Sequence, residues 1–427
     1  MPDLVPVHGG LDAPVNRVVP LSRRKQFLQE AAELPTVEVS RADLSTVYRI
    51  ADGTLSPLTG PMDEETWHYV LDHDALDFGF RHYAWTAPIS FPVADEEAKR
   101  IRVGRPVALV HEGEPVAIVR VTSLFEWDKP KHIEKFYGTR RTDHPGGRMI
   151  LEDPRTKLLG GELWALPQVV DPEYGEFVLS PRQVRTLIAE RRWERALAFQ
   201  TRNPLHRAHE YALVAGVERL TRQGYFAGVV LNPLVGELKE DDVPARVRMR
   251  CYRALHDLKL LGKGDKDEAL WRELGYDLTE VFELVGLDIK MLYGGPKEAV
   301  MHAIYRQNLG FTDIVIGRKH ADAPYDDGTP IWGDFDAQEI FQHLRGDLRI
   351  QPCNIGFAAY FESVGRVDLI ENHPGEKPVS ISGSKIREML TRGERPDERI
   401  LRPEIADILI AYYREQAARK SNERQRR

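Results

Sequence analysis

The stretch of sequence that decides the fold reads Gln200-Thr201-Arg202-Asn203-Pro204-Leu205-His206-Arg207-Ala208-His209. It follows the apolar run 195–200, which predicts a short buried strand, and an amphipathic run to Gly224 comes after it. Asn203 is a good N-cap and Pro204 suits the first helical position, so a helix is predicted from residue 204. A helix N-terminus after a strand presents N–H groups that attract anions. The stretch therefore predicts a phosphate-binding turn in an α/β fold.

The two histidines of this turn, His206 and His209, are three residues apart and are predicted to share one helix face. They are open to three interpretations: donors to phosphate, ligands of a metal, or a buried structural pair. A metal site is disfavoured because no Glu lies between them as in H-E-x-x-H, and no third ligand is evident. Arg202 and Arg207 make a purely apolar setting awkward. Phosphate binding is favoured, and no metal site is predicted.

After residue 175 the sequence alternates apolar runs with amphipathic runs, which predicts a parallel, Rossmann-like α/β sheet. Strands are predicted near 195–200, 226–231, 287–293 and 312–316, and helices near 204–222, 243–257, 296–309 and 336–344. Ligands of such sheets bind beyond the carboxyl ends of the strands. The residues expected at those ends are Gln200, Asn232, Tyr293 and Gly317.

The domain organisation is predicted from shifts in this pattern. Residues 1–168 carry short strand-like runs broken by turns, which indicates a β-rich, partly barrel-like domain. Residues 169–335 are assigned to a nucleotide-binding α/β domain, and 336–414 to a small α/β region that completes the phosphate site. The basic tail 415–427 is expected to be flexible.

Two further segments carry compatible chemistry: Gly317-Arg318-Lys319-His320-Ala321 and Ser380-Ile381-Ser382-Gly383-Ser384-Lys385-Ile386-Arg387. In the second, Ser382 or Ser384 can cap a helix beside Lys385 and Arg387, forming a second phosphate cradle. An ordinary capped helix explains that segment equally well. The same holds for the helix start at 294–299, where simple capping is at least as good an interpretation as ligand contact.

Composition excludes several classes of protein. The net charge of -7 argues against broad binding to nucleic acid or a membrane surface. No apolar run reaches the roughly 20 residues that span a bilayer, and the N-terminus shows no signal pattern, so a cytoplasmic protein is expected. The two cysteines, Cys251 and Cys353, build neither a disulfide framework nor a four-thiolate zinc site. Both are expected to be buried thiols.

These motifs together resemble the ATP sulfurylase (sulfate adenylyltransferase) family of the HxxH nucleotidyltransferase superfamily, over nearly the whole chain. The 200–209 block carries the family pattern Q-x-R-N-P-x-H-R-A-H unchanged. Other matching segments are His8-Gly9-Gly10-Leu11 with Val15-Asn16-Arg17, Ser56-Pro57-Leu58-Thr59-Gly60, Gly138-Thr139 with Asp143-His144-Pro145-Gly146, Gly294-Gly295-Pro296-Lys297-Glu298-Ala299, Gly317-Arg318, and 381–387.

The resemblance implies a PUA-like N-terminal domain and transfer of the adenylyl group of ATP, bound with Mg²⁺, to sulfate. It implies that Gln200, Arg202 and the Ala321 backbone bind sulfate, and that Thr201, Arg202 and Asn203 form the reacting centre with His206 and His209. The ATP-binding residues it implies are Gln200, Thr201, Arg202, Asn203, His206, His209, Gly317, Arg318, Lys319, His320, Ser384, Lys385 and Arg387. A homo-oligomer is expected, with a separate adenylylsulfate kinase or reductase downstream, because no G-x-x-x-x-G-K-[ST] segment is present.

This sequence departs from the family pattern at two places. Where the family reads G-R-D-H-A-G, this chain has Lys319 and Asp322, and Asn232 replaces the histidine of H-P-x-x-G. No zinc is expected, since only Cys353 remains of the small zinc site that some bacterial members carry. Two alternatives stay open: transfer to a different oxyanion or a phosphorylated acceptor, and a weakly active nucleotide-binding relative in a sulfate-activating complex.

Overall fold

A computed structural model describes residues 4–236 and 242–426, with side chains up to residue 419. The helices and strands of the N-terminal 170 residues alternate in short segments. They are α1 (Arg24–Ala32), β1 (Thr36–Glu38), α2 (Arg41–Asp52), α3 (Glu64–His73), β2 (Ala75–Asp77), β3 (His82–Ala84), β4 (Phe91–Val93), α4 (Asp95–Ala98), β5 (Pro106–His111), β6 (Glu114–Glu126), α5 (Lys129–Tyr137), α6 (Pro145–Leu151) and β7 (Lys157–Ala165).

The elements that follow are mostly longer helices between short strands. They are α7 (Pro181–Arg191), β8 (Arg195–Thr201), α8 (Arg207–Arg222), β9 (Ala227–Pro233), α9 (Ala245–Asp257), α10 (Glu268–Leu274), β10 (Phe282–Leu284), α11 (Gly295–Leu309), β11 (Asp313–Ile316), α12 (Asp336–Glu339), β12 (Gln351–Asn354), β13 (Ala358–Phe361), β14 (Arg366–Leu369), α13 (Gly383–Thr391) and α14 (Pro403–Arg426).

The chain forms two compact units, each assembled from separate segments. Unit 1 comprises Met1–Val170, Leu179–Arg192 and Asp288–Pro352, and unit 2 comprises the rest. Buried hydrogen bonds tie the later segments of unit 1 to its beginning, as where the Asn308 side chain accepts from the His8 N–H at 2.9 Å. The compact units therefore cut across the predicted bounds 169–335 and 336–414, which stay predictions.

Unit 1 is built on a five-stranded sheet in the order β1-β5-β6-β7-β4. All of its neighbouring strands are antiparallel except β1 and β5. The turn between β5 and β6 has positive φ at both Glu112 and Gly113, which matches the right-handed twist of a two-residue hairpin. The β-rich N-terminal region expected from the sequence is confirmed.

Unit 2 contains three parallel strands in the order β10-β9-β8. Every residue of β9 is buried, as expected for a strand covered on both faces. The strand predicted at 287–293 is wrong: β10 ends at Leu284, and the pairing continues only as isolated bridges up to Leu287. From Asp288 on the backbone is irregular, and the Asp288 carboxylate accepts hydrogen bonds from Ser45 and Gln168. Tyr293 is therefore not at a strand end.

The structure describes the two cysteines and part of the C-terminal tail, for which the sequence made predictions. Cys251 and Cys353 are buried free thiols, as expected. The tail expected to be flexible is helical in its backbone up to Arg426, within α14, while its side chains from 420 on lie outside the described residues. No helix within 4–236 and 242–426 combines the length and apolar character needed to cross a bilayer.

Candidate functional site

The turn after β8 begins where the sequence predicts, but the helix begins later. Helix α8 starts at Arg207 with His206 as its N-cap residue, so the prediction of Asn203 as N-cap and Pro204 as first helical residue is wrong. The reason is local. The Asn203 N–H donates to Thr201 Oγ1 at 3.2 Å, and Tyr252 on α9 donates to the Asn203 carbonyl at 2.8 Å. These bonds hold Asn203 in a turn before the helix.

The imidazoles of His206 and His209 stack face to face. Their centroids are 3.8 Å apart and the ring planes are 22° from parallel. Burial, followed by the neighbouring His209, lowers the pKa of His206 to about 3, and burial lowers the pKa of His209 to about 4. In the unliganded protein both rings are neutral at pH 7, so each offers one N–H donor and one lone pair.

These lowered pKa values predict a pH-dependent stability. Between pH 6.5 and about 4 these two histidines take up protons in the unfolded chain but not in the folded protein. Their contribution to the free energy of unfolding is therefore complete above pH 6.5 and decreases as the pH falls below it. The double variant His206→Asn/His209→Asn should therefore lose less stability than the wild type over this range. Midpoint temperatures of unfolding measured at pH 7.5, 6, 5 and 4.5 test this. Identical pH slopes for the two proteins would contradict the buried neutral pair.

The first turn of α8 has fewer free donors than the sequence suggests. The Arg207 N–H donates to the Ile400 carbonyl at 2.8 Å, and the His209 N–H to the His206 carbonyl at 2.8 Å. The Arg207 side chain forms a two-point ion pair with Asp265, at 2.6 and 2.8 Å. Arg207 therefore anchors the helix start and is not available as a phosphate ligand.

A second ion pair lies under the same turn. Glu210 and Arg402 are both buried, and the Arg402 Nε lies 2.8 and 3.1 Å from the two carboxylate oxygens. Burial raises the pKa of Glu210 to about 7 in spite of the opposing charge of Arg402. Neither partner was singled out in the sequence, because they are 192 residues apart and no local pattern links them.

Gln200 lies near the carboxyl end of β8, as predicted, and Arg202 directly follows this strand. Gln200 is aligned with Asn232 on β9, which is fully buried and donates to the Val285 carbonyl. Asn232 thus ties β9 to the segment after β10. The amide at this position therefore has a structural role.

The segment predicted as a second cradle forms the start of α13. Ser382 is the N-cap and accepts a hydrogen bond from the Lys385 N–H at 3.2 Å, which confirms the capping prediction for Ser382. Lys385 is exposed and lies 3.3 Å from Glu388. Ser384 and Arg387 are exposed as well.

Helix α9 joins this cradle to the β8 turn within unit 2. Tyr252 of α9 holds the Asn203 carbonyl, while Val247 and Cys251 pack in one apolar cluster with Leu390 and Ile386 of α13. The 200–209 turn and the α13 start are thereby fixed to one helix.

The third predicted segment, 317–321, belongs to unit 1 and follows β11. Lys319 and Ala321 both have positive φ, at 53° and 56°, a conformation that non-glycine residues seldom adopt. Such strained loops are held only when surrounding contacts determine them, and they often occur at ligand sites. Here the Gly295 N–H donates to the Ala321 carbonyl at 3.1 Å, and the Lys319 N–H to the Asp334 carbonyl at 3.0 Å.

Both glycines at the start of α11 are required by packing. A Cβ on Gly294 would lie 2.5 Å from the Phe136 ring, and one on Gly295 would lie 2.4 Å from the Trp332 ring. This favours the structural interpretation of that segment over direct ligand contact.

The part of the chain that the structure describes contains no group of three or more His, Cys, Asp or Glu side chains arranged to hold a metal ion.

The comparisons with known proteins identify the family. The ATP-sulfurylase family model matches residues 175–412, and the PUA-like domain model matches residues 5–168. The chain belongs to the ATP-sulfurylase family. It is similar to "Sulfate adenylyltransferase" of Pyropia yezoensis, with 52% identity, covering 97% of this chain and 98% of that protein. The corresponding figures for "Sulfate adenylyltransferase" of Symbiobacterium thermophilum are 35%, 94% and 95%.

Two other relatives carry additional names. "Probable bifunctional SAT/APS kinase 2" of Sorangium cellulosum is 34% identical, covering 95% of this chain and 65% of that protein. Among solved structures, "Hexameric APS kinase from Thiobacillus denitrificans" has a TM-score of 0.69 at 21% identity, covering 95% of this chain and 68% of that one. This second likeness concerns the fold alone.

Within the ATP-sulfurylase family, the departure at Lys319 has a local compensation. Asp334 lies 3.4 Å from the Lys319 ammonium and 3.2 Å from the Arg318 guanidinium. A carboxylate therefore lies beside these cations as it would in the family pattern, but Asp334 supplies it instead of the residue at position 319. This pairing could not be predicted, because Asp334 lies in a polar segment without a periodic pattern.

Proposed function

We propose that this protein transfers the adenylyl group of MgATP to sulfate, forming adenosine 5′-phosphosulfate and pyrophosphate in a reversible reaction. The observation that carries the proposal is the match, over nearly the full length of both chains, to relatives named sulfate adenylyltransferase. The stacked imidazoles at the start of α8 support it, since they place two neutral donors beside the end of a parallel strand.

The chemistry needs positioning more than proton transfer. Sulfate is a dianion at neutral pH, so it can attack the α-phosphorus of ATP without a general base. Its approach to the triphosphate is opposed by repulsion of about 4 kcal/mol per pair of unit charges at 4 Å and an effective dielectric constant near 20. Binding groups must offset this repulsion, and Mg²⁺ bound to the ATP phosphates contributes positive charge.

Sulfate is assigned to Gln200 and Arg202. The Arg202 guanidinium matches two sulfate oxygens with a planar pair of N–H groups, and the Gln200 amide adds a neutral donor. Gln200 is held near the carboxyl end of β8 by the parallel pairing with β9, and Arg202 directly follows the last residue of that strand. Thr201 and Asn203 shape the same turn through their mutual hydrogen bonds.

His206 and His209 are assigned to the charge that develops on the α-phosphoryl oxygens and the departing pyrophosphate. Neutral imidazoles suit this task because each ring donates one N–H and carries no charge that would have to be paired in the unliganded protein. A helix N-terminus adds a favourable dipole for the anion.

The segments 317–320 and 384–387 are assigned to the nucleotide and to pyrophosphate, respectively. At Gly317 the backbone φ is ordinary, and an added Cβ would contact nothing within 4 Å, so no protein contact requires glycine there. Close approach of a ligand to the backbone would explain this glycine. Ser384, Lys385 and Arg387 are exposed at a helix start, where they can hold a leaving anion.

The cellular setting forms part of the proposal. The product would pass to a separate kinase or reductase. The cytoplasmic location, the homo-oligomer, the sulfate contact of the Ala321 backbone and the absence of protein-bound zinc stay predictions.

Pyrophosphate release measured separately with sulfate, selenate, molybdate and phosphate tests the function. The proposal expects MgATP turnover with sulfate and selenate, and adenosine 5′-phosphosulfate as the sulfate product. Release with phosphate but not with sulfate or selenate would favour a different acceptor. ATP binding without turnover on any acceptor would favour a nucleotide-binding relative.

A further inference from the structure

Three side chains of unit 1 form a line that ends in the 317–321 loop. Glu298 and His302 lie one turn apart on α11, and Glu298 Oε1 is 3.3 Å from His302 Nε2. The other nitrogen of that ring, Nδ1, is 3.0 Å from Nε2 of His320. Glu298 and His302 are almost completely buried.

The hydrogens in this line can be assigned from the carboxylate outward. Both Glu298 oxygens accept backbone hydrogen bonds, from the Leu292 N–H at 2.8 Å and the Gly294 N–H at 2.9 Å. The carboxylate is therefore an acceptor. Its contact with His302 Nε2 is not well aligned for a hydrogen bond, but a lone pair on that nitrogen would face the carboxylate oxygen 3.3 Å away, so the hydrogen is assigned to His302 Nε2. A neutral imidazole carries one N–H, so His302 Nδ1 is a lone pair that accepts from His320 Nε2–H.

Burial and a buried cation keep both rings neutral. Arg306 lies one turn further along α11, is fully buried, and its Nη1 donates to the His302 carbonyl at 3.3 Å. Burial lowers the pKa of His302, and burial, then His302 and Arg306, lower the pKa of His320. In the unliganded protein both imidazoles are therefore neutral at pH 7.

The consequence concerns the remaining nitrogen of His320. With the hydrogen on Nε2, His320 Nδ1 is a lone pair, and it has no hydrogen-bond partner within residues 4–236 and 242–426. Phosphate oxygens are acceptors, so this nitrogen cannot bind them. It can accept only from an N–H or O–H group, and ATP has such groups only on its nucleoside part at neutral pH.

We propose that Glu298 and His302 are positioning residues that fix His320 as a hydrogen-bond acceptor for the nucleoside of ATP, either its 6-amino group or a ribose hydroxyl. This inference rests on the proposed function, because it takes ATP to be the ligand of the 317–321 loop. The strained backbone at Lys319 and Ala321 and the Gly295–Ala321 hydrogen bond hold the imidazole in place. Outer-shell hydrogen bonds of this kind commonly fix the tautomer of a working histidine.

The tautomer can be measured without any turnover. Nitrogen-15 spectra of the histidine-labelled wild-type protein, assigned with a His320→Gln variant, should show His320 neutral with its hydrogen on Nε2. A His302→Leu variant removes the acceptor and should give a mixture of tautomers. A His302→Asn variant keeps an acceptor near the Nδ1 position and should restore the single form. A hydrogen on Nδ1 of His320 in the wild type, or a charged imidazole at pH 7, overturns the proposal.

The nucleoside contact is tested by calorimetric binding. His302→Leu should weaken ATP binding by about twofold, the loss expected when half of His320 carries its hydrogen on Nδ1, and His302→Asn should recover most of this loss. The loss should vanish for one analogue: a purine riboside triphosphate without the 6-amino group, or 2′-deoxy or 3′-deoxy ATP. The analogue that shows no loss identifies the donor.

Equal weakening of all these analogues, or unchanged ATP binding by His302→Leu, overturns the proposal. A wild-type protein that binds ATP but does not use sulfate would defeat the proposed function alone. Both tests of the His320 contact would remain valid in that case.

Discussion

Replacement of His206 by alanine is expected to lower kcat by about a hundredfold or more, with a much smaller change in the KM for ATP. Removal of one hydrogen-bond donor that stabilises charge mainly in the transition state lowers kcat by about this factor. The neutral N–H of His206 is placed for this role, because the residue caps α8 and its ring stacks on His209 at 3.8 Å. Steady-state kinetics of adenosine 5′-phosphosulfate formation measure the effect.

A His206→Gln variant provides the matched control. Its side chain keeps an N–H donor while losing the stacked ring, so it should retain more activity than His206→Ala. Unchanged midpoint temperatures of unfolding at pH 7.5 would show that both variants keep the fold. A kcat for His206→Ala equal to that of the wild type would remove this imidazole from the transition state.

Replacement of Arg402 by leucine is expected to lower the free energy of unfolding by about 3–5 kcal/mol, as for other buried ion pairs that lose one partner. The variant leaves the Glu210 carboxylate buried without its guanidinium. The wild-type pKa of Glu210 is already raised to about 7 by burial, so the carboxylate should become protonated more readily in the variant. The stability difference should therefore shrink as the pH falls toward 7, where Glu210 takes up a proton in the variant but not yet in the wild type, and should change little below 7, where both forms are protonated.

The double variant Glu210→Leu/Arg402→Leu separates the buried charge from the lost packing. Removal of both charged groups should recover most of the stability, because an apolar pair of similar volume often replaces a buried ion pair without loss. Denaturant unfolding of the two variants and the wild type at pH 8 gives the comparison. A double variant as unstable as Arg402→Leu would show that the ion pair is not the source of the effect.

The fold class was predictable because its signals are local. The apolar run before Thr201, the capping residue Ser382 and the glycine-containing turn at 112–113 each act within a few residues. Short-range preferences of this kind are readable from a single sequence. The β-rich and α/β parts were predicted for that reason. The resemblance to the family implied that the β-rich part is PUA-like, and the family models match both parts.

The details of the site were less predictable because they depend on contacts between distant residues. Helix α8 begins three residues later than predicted, since Tyr252 and Ile400 take the backbone groups of Asn203 and Arg207. The Arg207 side chain forms its ion pair with Asp265, which is 58 residues away in the sequence. Such pairs leave no periodic pattern in the sequence.

The line from Glu298 to His320 shows the same limitation. The spacing of Glu298 and His302, four residues apart on a predicted helix, indicates a contact between them. Nothing in the sequence connects that pair to His320, which approaches only because the loop after β11 folds back on the start of α11. Strain at Lys319 and Ala321 could not be read from their residue types either, since neither favours positive φ.

Exchange of labelled pyrophosphate into ATP tests the central claim, direct attack of sulfate on the α-phosphorus, most directly. Because no adenylylated enzyme forms in that mechanism, we expect label to enter ATP only when sulfate is present with MgATP. The amount of label should rise with sulfate until the site is saturated. Exchange at the same rate without sulfate, or no exchange with sulfate present, would contradict the account.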